Sequence, residues 1–183
     1  MKKITITLFF LVSISLHLFA DVTIRIIDAT KKIMRVTYTY TDSDAGANTL
    51  VFPTDGFPFA NSPLKVISVI EKNTEQDLEY QVVERRNGQS VKVYYTSPIP
   101  NGGNYTIEIT AEAKTDNISV DSQGRFVFTY ETGSKAFFVL PQGHAVVYSN
   151  YPVLIYERKG STVCHVRESG RKKLMFKTRA FNQ

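Results

Sequence analysis

Few residues of this sequence have the type to do chemistry, and their spacing works against it. Cys164 and His165 stand side by side, a nucleophile and a base by type. Neighbours on an extended strand point to opposite faces, so these two cannot serve one another. Cys164 reads instead as a small buried hydrophobe. His144 follows Gly143 and reads as a solvated residue of a turn. Glu108 and Glu112 share one strand face, but at four residues' separation their carboxylates stand about 13 Å apart, beyond the reach of a glycosidase acid pair. With Thr106 and Thr110 they read as a solvated polar face.

The run Asp42-Ser43-Asp44-Ala45-Gly46-Ala47-Asn48 spaces its carboxylates like a calcium loop. The twelfth position, where such a loop needs a bidentate Glu, is Pro53, and the flanking segments alternate like strands. Asp, Asn and Gly form turns on their own account. The sequence has no G-x-S-x-G, no H-E-x-x-H and no phosphate-cradling glycine loop. These readings predict no catalytic residues, no metal site and no cofactor: a protein that is not an enzyme.

Contact chemistry is better represented. In the last strand, Leu174 and Phe176 alternate with Lys173, Lys177 and Arg179, and Arg171 precedes them in the same phase. A strand turns Leu174 and Phe176 to the core and spreads the four cations over about 27 Å of one exposed face. If Glu168-Ser169-Gly170 is a three-residue hairpin loop with Gly170 left-handed, Arg167 pairs with Arg171 and His165 lies opposite Lys173. Cys164 and Val166 then join Leu174 on the core side. The predicted contact face is His165, Arg167, Arg171, Lys173, Lys177 and Arg179, with Arg158 and Lys159 near one end. Such a face attracts acidic proteins or sulfated glycans, less strongly as salt rises. Its competing use is solubility, since Lys-rich faces keep β proteins apart. A second contact loop runs from Phe52 to Pro63, stiffened by three Pro and carrying Phe57 and Phe59. It serves either as an aromatic anchor or as a plug over the end of the fold.

The elements that must position these residues are strands. Period-two alternation marks segments near 22–26, 34–40, 49–52, 64–72, 78–85, 91–95, 105–113, 126–130, 145–149, 153–157, 162–167 and 172–180, with no competing helical pattern. Arg86-Asn87-Gly88-Gln89 predicts a hairpin. Ala136–Pro141 is continuously apolar, as a strand buried on both faces would be. About a dozen short strands punctuated by Gly, Pro, Asn and Asp predict an all-β antiparallel sandwich. An outer-membrane barrel fits less well, because several strands are too short and the outward faces of 105–113 and 172–180 are charged.

The N-terminus carries a different signal. Met1-Lys2-Lys3 is followed by the uncharged run Ile4–Ala20 and then by Asp21. A basic start, an apolar stretch and a small residue at the junction predict a signal peptide over 1–20 and export to the periplasm, the outer-membrane surface or the medium. The remaining 21–183 then form one β-sandwich domain without a transmembrane span, and export disfavours nucleic acid as a partner. With no Cys near the junction, the lipoprotein route is closed.

The 183 residues hold 22 Lys and Arg against 17 Asp and Glu. From Glu157 to Gln183 there are 8 basic and 2 acidic residues, whereas Asp21 to Tyr156 is net acidic with 12 and 15. The positive charge belongs to the C-terminal segment. One Cys excludes an intrachain disulfide framework.

The stretch FFVLPQGHAVVYSNYPVLIYERKG resembles the strand–Leu-Pro-x-Gly–strand unit of small exported immunoglobulin-like sandwiches of bacterial envelopes, with residues 137–141 and Gly143 carrying the match. That resemblance implies an immunoglobulin-like fold at the cell envelope and an adhesin-like, virulence-associated role. Its implied partners are host matrix or serum components. The alternatives are a structural envelope protein whose cationic strand only keeps it soluble and, third, a small hydrolase.

Overall fold

The structure, a computed structural model, describes residues 21–53, 63–85, 88–133, 135–168 and 170–181. The expected signal segment 1–20, the Phe57 and Phe59 loop and the Arg86-Asn87 turn lie outside the described residues.

Alternation becomes strand wherever the sequence predicts it. In chain order the first strands are β1 (Val22–Asp28), β2 (Ile33–Asp42), β3 (Thr49–Pro53), β4 (Lys65–Glu71) and β5 (Gln76–Asp77). They are followed by β6 (Tyr80–Arg85), β7 (Gly88–Tyr94), β8 (Tyr105–Lys114), β9 (Ile118–Val120) and β10 (Phe126–Thr132). The series closes with β11 (Ala136–Val139), β12 (His144–Ser149), β13 (Leu154–Arg158), β14 (Ser161–Val166) and β15 (Lys172–Ala180). Two of these, β5 and β9, hold only two and three residues and leave no readable alternation. The Arg85–Gly88 pairing of β6 with β7 closes the expected hairpin across residues 86–87.

The strands form three sheets of unequal size. The largest has eight strands in the order β13-β14-β11-β1-β2-β8-β4-β5; a four-stranded sheet runs β12-β15-β10-β9 and a three-stranded one β3-β7-β6. Pairing is antiparallel except between β1 and β11, which run parallel. The continuously apolar Ala136–Leu140 run is accounted for by this position, since β11 sits between β1 and β14 inside the large sheet.

Both small sheets cover the same face of the large one. In β8, Tyr105, Ile107, Ile109, Ala111 and Ala113 are all buried while the residues between them are half-buried. The first three join Val69, Val91 and Val93 in a core beneath the three-stranded sheet. Ala111 and Ala113 instead join Ile24, Val36, Phe138, Cys164, Phe128, Leu174 and Phe176 in a core beneath the four-stranded sheet. Phe138 reaches across this second core to Phe176 (ring centroids 4.7 Å apart) and Tyr130 (5.6 Å). Burying a side chain of this size contributes roughly 1.5–3 kcal/mol. Over β2 and β8 the uncovered face of the large sheet is polar and internally matched. Arg35 pairs with Glu112 (2.8 Å) and Lys72 with Glu108 (2.9 Å). Thr37 bonds Thr110 (3.1 Å) and Thr41 bonds Thr106 (3.0 Å). The two glutamates are thus a solvated ion-paired face, as their spacing suggests.

Two turns carry details that the sequence reading treats by residue type alone. Asp42 is buried, accepting from the Tyr95 hydroxyl (2.7 Å) and the Asp44 N–H (3.0 Å), so its carboxylate braces a turn. The Leu-Pro-x-Gly unit turns at Gly143 with φ of 73° and links β11 to β12, which lie in different sheets. His144, expected in a solvated turn, is instead half-buried at the start of β12, its ring 5.8 Å from that of Phe126.

Candidate functional site

Strand β15 occupies the middle of the four-stranded sheet, antiparallel to β10 on one side and β12 on the other. Leu174, Phe176 and Thr178 are fully buried, and the alternation sends Lys173, Met175, Lys177 and Arg179 outward. Lys172, in the inward phase but beyond the core, donates to the Glu168 carbonyl and lies over the Tyr151 ring at 5.4 Å. Where β12 ends, the Asn150 side chain continues its pairing: Met175 N–H donates to Oδ1 (2.7 Å) and Nδ2 donates to the Lys173 carbonyl (3.0 Å). The strand is thus hydrogen-bonded on both sides from Lys173 to Lys177.

The expected hairpin between β14 and β15 is not formed. β14 pairs with β11 and β13 in the large sheet, whereas β15 pairs with β10 and β12 in the four-stranded sheet. The segment between them crosses from one layer to the other. Gly170 does adopt positive φ, 108°, and its N–H donates to the Gly133 carbonyl (2.9 Å). A hairpin and a cross-layer arch both send Cys164, Val166, Leu174 and Phe176 into one core. They differ in the outward residues, which a hairpin collects on one face and an arch sends to opposite faces.

His165 and Arg167 therefore leave the predicted site. His165 is half-buried on the uncovered face of the large sheet, stacked on Phe137 at 4.2 Å. Arg167 is exposed just beyond the end of β14. Arg171 stays near the row but is ion-paired with Glu131, which is also the ladder partner of Lys173. What the structure brings together is Lys173, Lys177 and Arg179.

The structure adds residues that the sequence reading missed. The turn between β9 and β10 is built on Asp121, whose Oδ1 accepts from the N–H groups of Gln123 (3.0 Å) and Arg125 (3.1 Å). Its Oδ2 accepts from Arg125 Nε (2.8 Å) and stands 2.7 Å from Nη2. The Arg125 hydrogen bond, with those of the backbone, holds the Asp121 carboxyl down at about 2. Lys177 Nζ lies 3.8 Å from the same carboxylate and 5.6 Å from the centre of the Tyr148 ring. A shallow cleft of about 330 Å³ opens here, lined by Gln123, Arg125, Val147 and Arg179. The local signal was present: Asp121-Ser122-Gln123-Gly124-Arg125 has the Asp and Gly of a tight turn.

The chemistry available is that of anion contact. Arg125 and Lys177 share one carboxylate, Asp121, and among the described residues Arg179, on the same cleft, has no ion-pair or hydrogen-bond partner. Cys164 is remote from this face, at the bottom of the core, and burial pushes its thiol up to about 12. Among the described residues no group of three His, Cys, Asp or Glu is placed to hold a metal.

No protein-family model matches the chain, and no curated protein sequence does. Solved structures do. Leukotriene A4 hydrolase from Saccharomyces cerevisiae superposes on 88% of this chain with a TM-score of 0.55 and 12% identity. The yeast enzyme in complex with bestatin covers 87% at 0.55 and 11%. An M1 zinc metallopeptidase from Deinococcus radiodurans, bound to a Tyr-Ser-Ala substrate, covers 86% at 0.52 and 12%. The likeness is one of fold. The chain spans 28% of the length of the yeast enzyme and 40% of that of the metallopeptidase.

Proposed function

We propose that this chain is a non-enzymatic, exported binding module that engages an acidic protein or polyanion through the outer face of its four-stranded sheet. The observation that carries the reading is the phase of β15. Lys173, Lys177 and Arg179 stand in one outward row, with Arg125 alongside, over side chains that are fully buried. Export rests on the basic-then-apolar segment 1–20. An adhesin-like role toward host matrix or serum components rests on the resemblance to exported immunoglobulin-like sandwiches. That resemblance rests in turn on residues 137–141 and Gly143.

Retention on immobilised heparin across a salt gradient tests the contact face. Lys173→Glu/Lys177→Glu elutes at lower salt than wild type. Arg158→Glu/Arg167→Glu, the same charge change on the large sheet's edge, elutes later than that variant. Equal elution of the two double variants defeats the assignment. Protease treatment of intact cells separates an outward-facing module from a periplasmic structural protein.

The solved structures favour a second reading, in which the fold accompanies a catalytic unit and presents a substrate or partner to it. The yeast and Deinococcus chains carry this fold within longer proteins named as a hydrolase and a zinc metallopeptidase. The present sequence has three His and no H-E-x-x-H, so it cannot supply the zinc-binding motif of the thermolysin type. Incubating the protein with zinc and fluorogenic aminoacyl substrates gives no chelator-sensitive turnover under either reading; such turnover would refute the non-enzymatic proposal.

A further inference from the structure

We infer that the cleft beside Arg179 is a carboxylate subsite, fitted to an acidic side chain flanked by apolar residues on a partner protein. The inference rests on the contact face proposed above and narrows its partner from polyanion or protein to protein.

The register supplies the first argument. Phe126 pairs with Thr178 and Val127 with Lys177, so Arg125 falls opposite Arg179 one step beyond the ladder. Like charges directly opposite on neighbouring strands are unfavourable unless an anion lies between them. Asp121 answers only one side of this pair. It takes the Nε and Nη2 edge of Arg125 through a single oxygen, whereas a guanidinium has five N–H donors. Arg179 is left without a partner among the described residues, and Lys177 adds a third cation within 3.8 Å of Asp121. Both arginines line the cleft with the Gln123 amide, a donor set suited to a planar carboxylate.

The surroundings decide what carries that carboxylate. Val147 is 49% exposed on the cleft wall, and Tyr148, beside Lys177, is 47% exposed. They offer apolar contact on the flank of the charge. A sulfated polymer, with anions at every step, would run against Glu131 at one end of the row and Asp121 at the other. A single acidic residue between apolar neighbours needs only the cleft, whose lining includes neither carboxylate.

Fluorescence anisotropy with the full chain tests the subsite. The probe is a fluorescein-labelled Gly-Leu-Glu-Leu-Gly peptide with blocked ends, compared with its Gln counterpart and with a heparin hexasaccharide as competitor. The Glu peptide binds, and both the Gln peptide and the Arg179→Gln variant weaken binding by roughly tenfold, the effect of a lost charge-assisted hydrogen bond. Lys65→Gln, an equal charge change on β4 near the far edge of the large sheet, leaves it unchanged. Thermal midpoints equal to wild type establish that Arg179→Gln is folded. Equal binding of the Glu and Gln peptides, or equal effects of the two variants, overturns the subsite. If heparin still retains the protein in that case, the basic contact face stands and only this inference falls. If heparin retention is also independent of Lys173 and Lys177, both fall. Competition by the hexasaccharide well below the concentration of unlabelled Glu peptide needed assigns the cleft to glycans and overturns the choice of protein.

Discussion

Cys164 illustrates how little its neighbour His165 matters to it. The thiol lies in the core with Phe138 and Leu174, while the imidazole lies across the sheet on Phe137. Burial disfavours the thiolate, so the folded protein keeps its proton up to about pH 12 while the unfolded chain releases it near 9. The folded state then binds the extra proton, and its contribution to stability, complete below pH 9, is lost as pH rises toward 12. Native protein therefore resists iodoacetamide, and guanidinium-unfolded protein is alkylated. Cys164→Ala flattens the alkaline fall in unfolding free energy; a slope identical to wild type would show that the thiol is not the titrating group. At the margin of the same core, half-buried Tyr38 and buried Tyr130 share a hydroxyl hydrogen bond of 2.6 Å. Tyr130→Phe removes one hydroxyl and costs about 1–2 kcal/mol by denaturant titration, and Tyr38→Phe/Tyr130→Phe costs less than the sum of the two single changes. Strict additivity would mean that the hydroxyls do not interact. At this scale the sequence was readable where type and phase suffice, as for Leu174, Phe176 and Cys164. It was not readable where charge is cancelled by distant residues, since Glu131 answers Arg171 from β10 and Asp121 answers Lys177 from the turn before it.

β15 separates local from long-range information. Its two-residue phase is written in nine consecutive residues and survives intact. Phe176→Ala should cost about 3–5 kcal/mol of unfolding free energy, whereas Lys173→Gln should stay within roughly 0.5 kcal/mol. Comparable losses from both would mean that the strand does not present one face to the core. Pairing partners, by contrast, are not encoded nearby. The short Gly170 loop between β14 and β15 has the chemistry of a hairpin, yet each strand already has two other neighbours. Hydrophobic phase cannot distinguish a hairpin from an arch, because both bury the same side chains. The cost of that ambiguity was the placement of His165 and Arg167. The same limit explains β11 and β12, where a generic turn motif joins two different layers.

The described residues form one eight-stranded sheet with two smaller sheets on a single face, and β8 contributes to both cores. All-β class and antiparallel pairing follow from the alternation. The unequal layers and the parallel β1–β11 contact depend on packing between segments more than a hundred residues apart. Because β8 passes beneath both small sheets, Ile107→Ala and Phe176→Ala should each lower one shared thermal transition, seen at the same midpoint by near- and far-ultraviolet circular dichroism. Two separated transitions would make the cores independent. The proposed role depends on a single face of this assembly, and nuclear magnetic resonance can find it directly. Titrating isotopically labelled protein with polyaspartate should shift amide signals of Lys173–Arg179, Ala145–Tyr148 and Gln123–Arg125, and added salt should reverse the shifts. Shifts centred on Leu154–Arg167, or spread evenly over every lysine and arginine, would contradict an acidic partner seated on the four-stranded sheet.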